Sequence, residues 1–103
     1  MIPLLTERER THGLYKDTAA MAQALKDVMR SGKNWSKLSD TQKESLEQDA
    51  VKTARILSGD ANFRDHWDDK AGYANLAADN IKPSMPQITA DLTEVMQQTE
   101  PQQ

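Results

Sequence analysis

Gln42–Tyr73 reads QKESLEQDAVKTARILSGDANFRDHWDDKAGY and decides the fold of this chain. It holds two helical patterns joined by a turn at Ser58-Gly59-Asp60. In the first, Leu46, Ala50, Thr53, Ala54 and Leu57 recur at the spacing of one helix face. In the second, Trp67, Ala71, Ala74, Ala78 and Ile81 do the same, with small residues that allow close approach of a neighbour. A short connection between two helices favours antiparallel packing. Carboxylates stud both segments: Glu44 and Glu47 on the first, Asp65, Asp68 and Asp69 on the second.

Working outward, Ser39 with Gln42 three residues later has the form of a capping box and starts the first of these helices. Gly59 ends it, and Asp60 can cap a short turn through Ala61-Asn62-Phe63. The second helix is expected over about 65–81. Upstream, Leu14, Thr18, Met21, Ala22, Leu25, Val28 and Met29 predict a helix from Leu14 to Arg30, with Gly32 as its stop. Trp35 lies in the connector that follows, placed to cover one end of the core. Met1–Leu5 is a short apolar lead, and His12-Gly13 reads as a polar turn into the helix. Downstream, Pro83 and Pro86 interrupt the pattern, and Ile88, Leu92, Val95 and Met96 predict a short amphipathic helix before a polar end. The expectation is an all-α bundle of three main helices in a core domain over 1–82. A Pro-containing tail over 83–103 carries the short helix.

Composition narrows the function. A chain of 103 residues makes one modest domain. Only 5% of it is aromatic and 37% hydrophobic, which leaves little to fill a core and predicts completion by self-association. A formal charge of −3 provides no basic surplus for nonspecific nucleic-acid binding. With no cysteine, disulfides and thiolate metal sites are excluded. The N-terminal apolar run is too short for a secretion signal, and no run spans a bilayer, so a soluble cytoplasmic protein is expected.

Acids at helical spacing are ordinarily a solvated face. Here they border apolar stripes and stand near Lys52 and Arg55. Antiparallel packing would bring Glu44, Glu47, Asp65 and Asp69 toward one hard cation, magnesium or manganese, since histidines are too few for zinc. Phosphoryl chemistry needs such a cation, a carboxylate that activates water and a cationic side chain. Lys52, Arg55 and His12 are then candidate phosphate ligands, and Tyr73 and Trp35 candidate stacking partners for a base. His66, beside Trp67 at a helix start, reads as a surface or capping histidine.

The chain resembles a small family of phage-encoded domains of unassigned function. The matching words are His12-Gly13, QKESLE over 42–47, KTARIL over 52–57, Gly59-Asp60 and DHWDDKAGY over 65–73, within residues 7–80. That family is in turn similar to the all-α, MazG-like nucleoside triphosphate pyrophosphohydrolases. The resemblance implies a magnesium site with Glu44 and Glu47 as the first acidic pair and Asp69 as the final Asp. His66 stands where those enzymes have Glu, so Asp65 takes that place in the expected ligand set. It further implies release of pyrophosphate from a nucleoside triphosphate, with Glu47 and Glu44 catalytic. Two alternatives stand beside it: a noncatalytic helical protein that sequesters a nucleotide signal or inhibits a host defence protein, and a purely structural oligomer.

Overall fold

A computed structural model describes residues 3–81 and 92–96. Helix α1 spans Pro3–His12, α2 Tyr15–Arg30, α3 Asp40–Ser58 and α4 Arg64–Asp79, with a 3₁₀ turn at Trp35–Lys37. Among the described residues there is no strand, and 92–96 are helical. The all-α class and the three main helices are as the periodicity predicts. Pro83, Pro86 and the expected helix start at Ile88 lie outside the described residues. No helix among the described residues is long and apolar enough to cross a membrane.

Local chemistry accounts for the boundaries. Ser39 Oγ accepts the Gln42 amide at 3.1 Å while Gln42 Oε1 accepts the Ser39 amide at 2.9 Å. Both halves of the capping box are thus formed, satisfying two amides that the helix itself cannot. Asp60 Oδ1 accepts the Asn62 amide at 2.8 Å, which shapes the turn before α4. Leu14 is the N-cap residue of α2, and Gly59 closes α3, its backbone N–H donating a hydrogen bond to the Arg55 carbonyl at 2.8 Å.

Helix α3 is the spine, with α2 and α4 packed on its opposite sides. Toward α2 it turns Glu47, Ala50, Val51 and Ala54; toward α4 it turns Ser45, Asp49, Lys52 and Thr53. A helix held between two neighbours has two buried sides, each narrower than one amphipathic face. The core is correspondingly small: Ala22, Ala50 and Ala54 are the buried apolar residues among those described, joined by Thr18, Ser45 and His66. Small side chains let the helix axes approach closely. Thr18 tolerates burial because its hydroxyl donates to the His12 carbonyl at 2.9 Å.

Three sequence expectations are corrected here. The first ten described residues form a helix, α1, where an apolar lead and a polar turn were expected. Leu46 and Leu57, expected in the α3 core, are 42% and 61% exposed, because the two flanking helices leave that side of α3 uncovered. Helix α4 is turned by about 100°, one residue, from the predicted face. His66, Lys70, Tyr73 and Ala77 pack inward, whereas Trp67, Ala74 and Ile81 do not. The buried group is His66, at 2% exposure, and Trp67 stays 51% exposed with its indole N–H donating to the Ala61 carbonyl at 2.8 Å.

The physical cause of that rotation lies at the two turns. Gly13 adopts φ +81°, a conformation glycine reaches without cost, and its α-carbon lies against the Ser58 backbone. Gly59 lies against the backbone of Thr11, His12 and Gly13. The α1–α2 and α3–α4 turns therefore interlock backbone to backbone. The Thr11 carbonyl accepts both the Asp60 amide at 3.1 Å and His66 Nε2–H at 2.9 Å. Satisfying that carbonyl draws His66 inward and carries the tryptophan next to it outward.

Candidate functional site

The predicted acidic residues do not share one place. Glu47 faces α2 and is ion-paired with Arg30. Asp69 faces α3 and pairs with Lys52 at 3.0 Å. The contacts of Lys52 with Asp69 and of Lys70 with Asp49 (2.9 Å) set the antiparallel register. In that register Asp65 falls level with Ile56, so Glu44 and Asp65 are separated by about 18 Å along α3, at about 1.5 Å per residue. Both are exposed. Among the described residues no group of three or more His, Asp or Glu side chains is assembled to hold a metal ion. The carboxylates that a magnesium site would use are spread along the spine, two of them already neutralised by a basic partner. This donor set does not fit a divalent cation.

Cations, in contrast, do gather. A cleft of about 390 Å³ opens where α1, α2 and α3 meet, lined by Arg8, His12, Tyr15, Gln23, Lys26 and Arg55 among others. Glu9 is the single carboxylate of the lining. Among the described residues, Arg8, Lys26 and Arg55 form no ion pair. Burial depresses the pKa of Arg55, and the neighbouring Arg8 adds to the effect against smaller opposing influences of Asp69 and Tyr73. His12 is pushed below the ordinary histidine value by burial first, then by Arg55, Arg8, His66 and Lys52. A cleft whose own cations disfavour one another is a place where an anion is welcome.

The cleft follows from the backbone interlock. Gly13 ends α1 and swings the chain into α2, so Arg8 and His12 from α1 project beside Lys26 from α2. Arg55 enters from α3, one turn before Gly59. His12 Nδ1 is 2.6 Å from the Thr11 hydroxyl, and its ring meets His66 edge-on at 4.8 Å and Phe63 at 5.9 Å between centroids. Its position in the lining is thus held by an aromatic cluster as well as by the turn.

Of the candidate phosphate and nucleotide ligands, Arg55 and His12 meet in this cleft. Lys52 is turned toward α4 and engaged by Asp69. Tyr73 is half-buried and belongs to a shallow surface depression with Asp69, Gly72 and Leu76. Trp35 sits in the 3₁₀ turn at the far end of α3, about 27 Å from Gly59 along a helix rising about 1.5 Å per residue. Arg8, Lys26 and Tyr15 carry no local sequence signal of a site: Arg8 lies on α1, which the periodicity does not predict, and Lys26 flanks the predicted α2 stripe, so only the α1–α2 angle reveals them.

Comparisons with protein-family models, with curated proteins and with solved structures find no match to this chain.

Proposed function

We propose that this chain is a nucleotide-handling protein whose primary act is to bind the phosphates of a nucleotide in the α1–α2–α3 cleft. It works as a homo-oligomer in the cytoplasm of the cell that makes it. The observation that carries this reading is the convergence of Arg8, Lys26 and Arg55, none ion-paired among the described residues, on one cleft with His12. Guanidinium groups bind phosphate oxygens through paired N–H donors. Tyr15, at the mouth and 85% exposed, has a free aromatic face for a base. The resemblance of residues 7–80 to domains akin to nucleotide pyrophosphohydrolases supports the same ligand class. The stronger form of the reading is magnesium-dependent pyrophosphohydrolysis. It requires Glu44, Glu47, Asp65 and Asp69 around one ion, and their separation and ion pairs favour sequestration over turnover.

One experiment divides these readings. Calorimetry against ATP, GTP, their deoxy forms and inorganic pyrophosphate, with and without magnesium, is run beside an assay for pyrophosphate release. Binding that persists without magnesium, with no release, is expected. Arg55→Gln removes one charge-assisted contact of about 1.5–3 kcal/mol, weakening binding by roughly 10- to 100-fold. Magnesium-dependent release lost in Glu47→Gln establishes the enzyme instead. Absence of binding to every nucleotide refutes the proposal and points to a protein partner.

A further inference from the structure

The cationic cleft holds one group that phosphate binding alone does not call for. Glu9, the single carboxylate of the lining, is exposed. It forms no ion pair among the described residues, although Arg8, Lys26 and Arg55 share the cleft with it. An ionised carboxylate repels phosphate oxygens and only accepts hydrogen bonds. In a nucleotide site it therefore belongs beside a part of the ligand that donates. The cleft has a direction that separates such a part from the phosphates. The contact of Gly13 with Ser58 and the ion pair of Arg30 with Glu47 make α2 and α3 antiparallel. Along α2 the lining runs from Tyr15 to Lys26, about 16 Å at about 1.5 Å per residue. The antiparallel register brings Arg55 between those two levels, and Arg8 lies close enough to Arg55 to depress its pKa. Glu9 belongs to the Tyr15 end. Its carbonyl accepts the Gly13 amide at 2.7 Å, so the last turn of α1 and the first residue of α2 adjoin one turn. On α1, Arg8 and His12 are four apart and share a face, and Glu9 stands about 60° round from His12 on the side away from Arg8. Cations thus occupy the middle and far end of the cleft, and an aromatic ring with a carboxylate stands at the near end.

We infer that the cleft selects guanine nucleotides, with Glu9 accepting the guanine N1–H and one N2–H while Tyr15 stacks on the ring. This rests on the phosphate-binding reading above and adds the base. Among the common bases, guanine alone offers two adjacent N–H donors on its Watson–Crick edge, a match for the two oxygens of one carboxylate. Adenine and cytosine place a ring-nitrogen lone pair beside the amino group. Uracil and thymine flank a single N–H with carbonyl oxygens. Each of these sets an acceptor against Glu9, so the same side chain attracts one base and repels the others. Stacking is tolerant of base identity, and the edge contact supplies the selection. Phosphates reaching from that end toward Arg8, Arg55 and Lys26 stay clear of the carboxylate. Glu9 is open to water, which competes for its oxygens and keeps the discrimination below that of an enclosed site.

The test is calorimetry of the full chain against GTP, ITP, ATP and inorganic pyrophosphate without magnesium, for the wild type and Glu9→Gln. Circular dichroism checks that helicity is unchanged, as expected for an exposed side chain whose residue bonds to Gly13 through the main chain. GTP is expected to bind the wild type roughly 10- to 100-fold more tightly than ATP, the range of a charge-assisted contact. ITP keeps the N1–H, lacks the 2-amino group and falls between them. Glu9→Gln removes a negative charge, so pyrophosphate binds more tightly. The new amide pairs a donor with an acceptor, as the adenine edge does, so ATP tightens too. GTP instead weakens by about tenfold as its second acceptor is lost. A wild type that binds ATP as well as GTP overturns the inference and leaves the phosphate site standing. So does a Glu9→Gln protein that binds GTP, ATP and pyrophosphate all more tightly, because Glu9 then acts through charge alone. Failure of pyrophosphate and all three nucleotides to bind refutes the phosphate-binding reading itself, and the inference with it.

Discussion

Replacing Gly59 and Gly72 by alanine adds the same methyl group at two glycines of one chain, with opposite consequences. At Gly59 the new carbon falls 2.5 Å from the Thr11 carbonyl oxygen, 2.6 Å from the Gly13 nitrogen and 2.7 Å from the His12 carbonyl carbon. All three are backbone atoms, and the Thr11 oxygen is fixed by the Asp60 amide and His66 Nε2–H. No side chain can swing aside, so the interlocked turns must separate. Overpacking of this kind costs about 1–3 kcal/mol, and the immobile neighbours place Gly59→Ala at the upper end of that range. At Gly72, in the interior of α4, nothing lies within 4 Å of the added carbon. There alanine gains about 1 kcal/mol of helix propensity. With a shift of about 4–8 °C per kcal/mol for a domain of this size, Gly72→Ala raises Tm by about 4–8 °C and Gly59→Ala lowers it by about 10–20 °C. Thermal melts by far-ultraviolet circular dichroism, at one protein concentration for all variants, measure both. A Gly59→Ala protein that melts with the wild type refutes the interlock and the account of α4 rotation built on it.

Three further outcomes are expected. Lys52 is only 12% exposed along its side chain, so Asp69→Asn strands a mostly buried ammonium and lowers stability by about 1.5–3 kcal/mol. In chemical denaturation, Lys52→Met with Asp69→Leu recovers much of that loss, because replacing both partners removes the desolvation penalty with the pair. His12 has a folded pKa below its unfolded value, so below the ordinary histidine range the unfolded chain binds more protons. Its contribution is therefore fully present above about pH 6.5 and is lost as pH falls through the depressed folded value. Denaturation midpoints compared across that window show a slope that His12→Asn flattens, and an unchanged slope contradicts the environment described for His12. A bound phosphate opposes the cations that depress His12, so saturating pyrophosphate raises its NMR titration midpoint.

The amino-acid sequence by itself determined three of the elements, α2, α3 and α4, but not α1. The capping box at Ser39 and Gln42, the stop at Gly59 and the start of α2 beside Leu14 are all local hydrogen-bond or backbone preferences, readable within a few residues. It determined also that the chain is all-α and poor in large core residues. What tertiary structure decided is which side of each helix faces inward. Periodicity finds an apolar stripe but not its partner. The stripe Trp67–Ile81 predicts a core face because a stripe needs covering, yet the demand of the Thr11 carbonyl and the close contact of Gly13 with Ser58 bring His66 in instead. The acids failed to converge for a related reason: their spacing along each helix was legible, but the register that pairs Lys52 with Asp69 and the opposite orientations of Glu47 and Asp69 were not. The cationic cleft was invisible because its residues come from three helices, one of them unforeseen, and charges distant in sequence meet only once the turns have interlocked.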